Sequence, residues 1–359
     1  MDLTDSLVLE EKLHNCTKEE LIAKVKELQA HNVQLRSIIQ KPGKHGGSNK
    51  SNKKELDFLK YSSRHILLRI LYLGWDYKGF VVQEDTSDTI EHHLFEALLK
   101  TCLIKDRSTS NYHRCGRTDK GVSSYGQVIS ITVRSNLQPG NDNVDEEMNY
   151  CKVLNRVLPN NIQCVAWSPI TNAFSARFDC KSRIYKYYFP RSRLNIELMR
   201  EASKKMIGSH DFRNLCKMDV GNGVVQFVRN ITDITIEPSN SSQIANGYTI
   251  YVVTIQANAF LWHQIRCIVG VLLLVGQGKE DPSVVDELLD ITKNPRAESI
   301  QENWKFVVNG DSEYSMASEI PLNLFHSEYE NIKWHYEKDT VRVVLEKLYN
   351  YWTFTAIKI

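Results

Sequence analysis

The apolar positions of this chain fall into two regimes. Between residues 17 and 40 they recur at alternating spacings of four and three: Leu21, Val25, Leu28, Asn32, Leu35 and Ile39. That is the seam of a short coiled coil, with Asn32 at an a position, where a polar side chain costs stability but fixes register. The same stripe also suits one amphipathic helix packed on its own domain. Thr17-Lys18-Glu19-Glu20 opens it as a capping box, and Pro42-Gly43 ends it. Residues 43–54, GKHGGSNKSNKK, carry no apolar side chain and read as a flexible basic linker.

From about residue 64 the period changes to short strands and helices. The run from His65 to Tyr72 predicts a buried strand, and Gln127–Val133 an alternating one. Asp88-Thr89-Ile90-Glu91 opens a helix with Ile90, Leu94 and Leu98 on one face. A helix is expected over 148–158, a strand over 162–167, an alternating strand over 183–189 and a helix over 196–207. Residues 227–236 and 248–257 read as a hairpin, 262–275 as a buried helix, 281–291 as a short acidic helix and 341–352 as a last helix. Strands and helices mix without strict alternation, which predicts an α+β fold with a mixed, mostly antiparallel sheet. The chain divides on this reading into an N-terminal helix (1–41), a linker (42–63), two halves of a folded domain (64–170 and 171–335) and a helical extension (336–359).

Composition changes the picture in three places. The 359 residues include 45 basic and 43 acidic side chains, a formal charge of +2, which excludes a histone-like or polybasic-tail protein. The balance is local, however: residues 177–217 hold eleven basic and four acidic side chains. Hydrophobic content of 42% excludes global disorder. Residues 1–20 carry Asp2, Asp5, Glu10 and Glu11 and no basic start followed by an apolar run, so no secretion signal is expected. The most apolar stretch, Ile265–Val275, is broken by Arg266 and Gly270 and falls short of the roughly 20 residues of a membrane helix. A soluble intracellular chain is the expectation. Its 8 cysteines form no C-x-x-C pair, so they read as reduced, mostly buried thiols, and no metal is expected. His113 and Cys115 lack a partner pair at ligand spacing.

Three segments could carry chemistry. In Cys115-Gly-Arg117-Thr-Asp119-Lys-Gly121-Val122, two glycines bracket an acid and a strand follows. Such a loop can present a carboxylate rigidly beside a sheet, although an Asp near Gly is also a common turn residue bonding its own backbone. In Phe174-Ser-Ala-Arg177-Phe-Asp-Cys-Lys-Ser-Arg183-Ile-Tyr185-Lys186-Tyr-Tyr188, cations alternate with aromatic rings. Rings stack on bases while cations hold phosphates, which suits splayed RNA; an ordinary half-buried strand has the same alternation. In Phe260-Leu-Trp-His263-Gln-Ile-Arg266-Cys-Ile-Val-Gly270, an Arg in an apolar helix needs a carboxylate or phosphate partner unless it snorkels to the surface.

Together these blocks resemble the TruA-type tRNA pseudouridine synthases. GRTDKGV (116–122) is similar to the family's catalytic loop, ARFDCKSRIYKYY (176–188) to its substrate-tyrosine strand and FLWHQIR (260–266) to its helix. Weaker likenesses follow in family order: Tyr72 to Phe80 with Gln83, Thr89-Ile90-Glu91, Met206 to Phe212, and Ser318-Glu-Ile-Pro321-Leu322-Asn-Leu324, over roughly residues 64–330. Lys120 and Ser123 stand where bacterial members usually have Ala and His, and Gly79-Phe80 where they have Gly-Trp. These departures resemble the eukaryotic branch acting at tRNA positions 38 and 39, in the anticodon stem-loop. Pro321-Leu322 stands where the family usually has Gly-Leu.

The resemblance implies a pseudouridine-synthase fold of two similar subdomains and a redox-neutral isomerisation of uridine that needs no cofactor. It implies Asp119 as the catalytic carboxylate, Arg266 as its ion-pair partner and Tyr185 stacked on the uracil. Arg117 would hold the extruded nucleotide, and Leu322 would line the pocket. Arg177, Arg183 and Lys186 are expected RNA contacts from their charge. A homodimer spanned by one tRNA, in nucleus and cytoplasm, completes the expectation. The alternatives are the same chemistry at another tRNA or small nuclear RNA uridine, and a non-catalytic tRNA-binding or folding factor.

Overall fold

In the computed structural model, residues 56–138, 141, 143–217, 226–239, 249–293, 306–308 and 312–357 are described. The chain divides between Glu55 and Leu56. The expected coiled-coil seam at 17–40 and the basic segment 43–54 lie outside the described residues.

The strands are β1 (Ser62–Tyr72), β2 (His113–Arg114), β3 (Ser123–Ser135), β4 (Ile162–Pro169), β5 (Ser182–Pro190), β6 (Gly208–Asp211), β7 (Val228–Pro238), β8 (Ile250–Ala257), β9 (Phe306–Val308), β10 (Ser312–Tyr314) and β11 (Leu322–Glu328). The helices are α1 (Ile90–Lys100), α2 (Tyr150–Asn155), α3 (Ile196–Lys204), α4 (Gln264–Gly276), α5 (Val284–Leu289) and α6 (Lys338–Ile357). Among the described residues one nine-stranded sheet runs in the order β4-β1-β3-β11-β5-β8-β7-β6, with β2 added beside β3. Each of these pairs is antiparallel except β11 with β3, which touch in parallel at Asn323–Ser123 and Leu324–Ser124. The fold is α+β, with a mixed and mostly antiparallel sheet flanked by helices.

Two hydrophobic clusters sit on this sheet. In one, α1 and α2 cover β1, β3 and β4 through Leu94, Leu98, Tyr150 and Leu154 against Ile66, Ile70, Ile131 and Ile162. In the other, α3 and α4 cover β5, β7 and β8 through Met199, Ile268 and Leu272 against Tyr187, Ile234 and Val253. Each fully buried side chain of this size contributes about 1.5–3 kcal/mol. Among the described residues the one parallel contact, β11 on β3, lies between the two clusters, and the Gly116–Val122 loop leads from β2 to β3 at that same join.

Local signals act where the sequence puts them. Thr89 caps α1 by accepting from the His92 N–H, and Asn149 and Asn195 cap α2 and α3 in the same way. Several elements differ in extent: the strand expected over 127–133 is Ser123–Ser135, the helix expected over 196–207 ends at Lys204, and the acidic helix expected over 281–291 is Val284–Leu289. The helix expected over 148–158 is only the six residues of α2, because Leu154 begins a turn that leads through Pro159 into β4. The last helix is longer than its apolar pattern, at 20 residues. No helix among the described residues is long and apolar enough to cross a membrane.

Candidate active site

The Gly116–Val122 loop is held from below by the segment after β1. Phe80 donates its N–H to the Thr118 carbonyl at 3.1 Å, and Gly121 donates to the Tyr77 carbonyl at 3.1 Å. The Tyr72 hydroxyl lies 2.7 Å from the Thr118 hydroxyl. These contacts need glycines. Gly79 has φ +115°, and a Cβ there would lie 3.1 Å from the Thr118 carbonyl oxygen; at Gly74 it would lie 1.9 Å from that of Val122. The loop is held from its start by β2. Arg114 ion-pairs at 3.0 Å with Glu91, a fully buried carboxylate that also takes Arg107 at 2.9 Å, the Tyr112 hydroxyl at 2.7 Å and the Val82 N–H at 3.0 Å. Burial pushes the Glu91 carboxyl up, but the Tyr112 and Val82 hydrogen bonds and the two guanidinium charges outweigh it and hold the group below its ordinary range.

Asp119 stands on this loop, largely buried, and its carboxylate turns away from its own backbone. Oδ2 lies 3.3 Å from Nε2 of His263, and the Trp262 side chain bonds the same carboxyl. Burial pushes the Asp119 pKa up; the Arg266 charge and Trp262 oppose it, and Glu319 adds to it. His263 precedes α4 in the left-handed region, at φ 59°. Its burial, with the charges of Arg266 and Lys217, lowers its pKa to about 4. The ring is therefore neutral at pH 7, and its contact with Asp119 is not an ion pair.

Arg266, in the first turn of α4, corrects one expectation. Its Nη2 pairs with Oε2 of Glu319 at 2.9 Å, not with Asp119, and its Nε donates to the Ala317 carbonyl at 2.8 Å. It reaches Asp119 through its field alone. The cause is the close crossing of the 315–319 segment over α4, where a Cβ on Gly270 would lie 2.6 Å from the Ser315 carbonyl oxygen. Glu319 is thereby delivered to the guanidinium. A reading of spacing along one helix does not reveal it; the one visible signal is that Glu319 is the only acid in the Ser318–Leu324 block.

Tyr185 and Leu322 come from neighbouring strands. Tyr185 sits opposite Leu324 and Tyr187 opposite Leu322 in the β5–β11 ladder. The Tyr185 ring meets Phe260 edge-on at 5.2 Å. Burial pushes its hydroxyl well above the ordinary tyrosine range, so it stays protonated at neutral pH.

These side chains share one cavity of about 1050 Å³, whose walls include Asp119, Tyr185, Arg266, Leu322 and Arg117. The lining carries seven basic side chains and one carboxylate, that of Asp119. Arg117 and Arg177 are exposed at its edge, and the Arg177 guanidinium lies 5.3 Å from the centre of the Phe178 ring. Lys217 and Arg229, which the motifs did not single out, join them. Two residues expected to contact RNA have protein partners. Arg183 lines the cavity, but its guanidinium donates to the Cys115 carbonyl at 2.8 Å and to that of Asn258, so it braces the walls. Lys186 does not enter the site. It points to the opposite face of β5, with its Nζ 3.6 Å from the centre of the Phe325 ring, because strand neighbours alternate faces. Among the described residues no cluster of His, Cys, Asp and Glu could hold a metal ion.

Comparison with known proteins gives the class. Residues 202–330 match the family described as tRNA pseudouridine synthase. The chain belongs to this family, the TruA-type tRNA pseudouridine synthases, and is therefore an isomerase, with the pseudouridine-synthase fold. Within the family it is 43% identical over 355 residues to a Bos taurus tRNA pseudouridine(38/39) synthase, covering 95% of this chain and 71% of that one. It is 42% identical over 355 residues to the Homo sapiens protein of the same name (95% and 70% covered), and 38% identical over 344 residues to that of Saccharomyces cerevisiae (89% and 72% covered).

Proposed function

We propose that the chain isomerises uridine to pseudouridine at positions 38 and 39 of tRNA, in the anticodon stem-loop. The observation that carries this reading is the cavity itself. Four distant segments bring Asp119, Tyr185, Arg266 and Leu322 to its walls, and Asp119 is the only acid among seven cations. A polyanion fits such a lining, and the volume accepts an extruded nucleotide. The position follows from the names of the eukaryotic relatives.

In the proposed reaction the bond from ribose C1′ to uracil N1 breaks, the detached uracil turns, and C1′ bonds to C5. The C5 proton leaves and N1 gains one, so the product is an isomer. Asp119 supplies the carboxylate beside C1′, as nucleophile or as stabiliser of the ribose cation. Arg266 favours its ionised form against the cost of burial. The Tyr185 ring stacks on the uracil, and its protonated hydroxyl can donate a hydrogen bond but not accept a proton as phenolate. Leu322 and Phe260 close the pocket around the base. Arg117 holds the extruded nucleotide out of its stack, and Arg177 and Lys217 take phosphates at the mouth.

The test is site-resolved mapping of pseudouridine in tRNA incubated with the purified chain. Wild type should convert positions 38 and 39. Asp119→Asn should give no product while binding tRNA within a few fold of wild type; turnover by that variant would remove Asp119 from the chemistry. Conversion at other uridines alone would exclude the anticodon-stem assignment. The same family reading carries a homodimer, for which sedimentation should give twice the chain mass.

A further inference from the structure

A pair of thiols in the cavity wall is not used by the isomerisation. Cys115 Sγ lies 3.5 Å from Cys180 Sγ and 3.3 Å from the Ser327 hydroxyl, and both cysteines line the cavity. Cys115 ends the β2 stem four residues before Asp119, and Cys180 lies two residues before β5. The Arg183 guanidinium is fixed beside Cys115 by its bond to the Cys115 carbonyl at 2.8 Å. We propose that Cys115 and Cys180 form a peroxide-reactive dithiol site, with Cys115 the attacking thiolate and Cys180 the resolving thiol.

Three features support the site. The contact with Cys180 and the Arg183 charge lower the Cys115 pKa despite burial, while the same contact, with burial, pushes the Cys180 thiol up. Both cysteines stand in the cavity wall. A second pair supplies the contrast. Cys151 and Cys164 are closer, at 3.1 Å, but both are buried away from the cavity, and burial raises the Cys164 thiol. Proximity alone selects Cys151–Cys164; charge and a place in the cavity wall select Cys115–Cys180.

The step balances with hydrogen peroxide as oxidant. The Cys115 thiolate attacks one peroxide oxygen, the O–O bond breaks, and hydroxide leaves. Cys115 becomes a sulfenic acid, its sulfur oxidised by two electrons and the peroxide reduced. The Cys180 sulfur then attacks the Cys115 sulfur, the S–O bond breaks, and the departing hydroxide takes the Cys180 proton as water. Closing 3.5 Å to a disulfide bond of about 2.0 Å brings the two sulfurs about 1.5 Å nearer.

The experiment treats the full chain with a few equivalents of hydrogen peroxide, alkylates the remaining thiols and maps peptides without reduction. The expected result is a peptide pair joined through Cys115 and Cys180, lighter by two hydrogens than its parts, with loss of both alkylated peptides and their return after dithiothreitol. Cys180→Ser should leave a sulfenic acid on Cys115 that dimedone traps, and Cys115→Ser should leave Cys180 alkylatable. A Cys151–Cys164 link in place of Cys115–Cys180, or both cavity thiols still alkylated while the oxidant is consumed, would overturn the proposal. So would unchanged oxidation of Cys180 in Cys115→Ser.

Discussion

Asp119 is placed where its charge is costly. Burial raises its pKa in the folded chain above the value of an unfolded aspartate. The folded state therefore holds its proton over a pH window where the unfolded state has released it, and stability is lost as pH rises through the folded pKa. At pH 7 the carboxylate is a net cost. Asp119→Asn should accordingly raise the thermal midpoint at pH 7 as it removes product formation, and the gain should vanish below about pH 4. A lower midpoint at pH 7 would show that the carboxylate stabilises the loop. Glu319 adds a second, separable effect. The groups facing Asp119 are Trp262, His263 and Arg266 from α4 and its approach, Tyr185 from β5, and Glu319 ahead of β11. Glu319→Gln removes one repelling charge and frees the Arg266 guanidinium toward Asp119, and both changes lower the Asp119 pKa. The acid limb of kcat/KM should move to lower pH. A limb that stays in place would mean that Glu319 serves only to hold the fold.

At the scale of elements, α4 and the strand approach to β11 act as one unit. Arg266 accepts at its carbonyl from the Ala317 N–H at 3.1 Å and donates from Nε to the Ala317 carbonyl at 2.8 Å. Gly270 permits this crossing, since a Cβ would lie 2.6 Å from the Ser315 backbone oxygen, a contact backbone cannot yield without moving. Gly270→Ala should displace the 315–319 segment, and with it Glu319 and Leu322. Turnover should fall roughly tenfold or more, because catalytic geometry tolerates little displacement, while tRNA affinity changes little. Single-turnover rates beside a filter-binding isotherm separate the two; an unchanged rate would mean that the segment accommodates the methyl group by itself.

For the whole molecule, the net charge of +2 hides a division. The cavity gathers basic side chains, of which Arg183 and Arg266 are committed to protein partners, whereas Arg117 and Arg177 face out. Phosphate contacts release counterions, so log affinity for tRNA should fall linearly with log salt. Arg177→Ala should reduce that slope by about one unit, and Lys186→Ala, on the opposite face of β5, should leave it unchanged. A larger change from Lys186→Ala than from Arg177→Ala would move the RNA to the other side of the sheet.

The sequence by itself determined the longer elements and marked the Gly116–Val122 loop. β1, β5, β7, β8, α1 and α4 follow from periods of two and 3.6 read over about ten residues, and a cap such as Thr89 acts within one turn. The two glycines around Asp119 were legible for the same reason. Even the place of Lys186 was written in the alternation of β5, where Tyr185 and Lys186 must face apart; the local excess of positive charge suggested otherwise. Tertiary structure alone decided the partners. β11 has too few alternating positions to announce a strand, yet it joins the halves of the sheet, and Arg266 finds Glu319 rather than Asp119 across a long stretch of chain. Periodicity is a property of neighbours in sequence. The pairing of Arg266, the bracing by Arg183 and the meeting of Cys115 with Cys180 depend on which distant backbone a glycine or a strand edge lets approach, and that is settled only when the sheet closes.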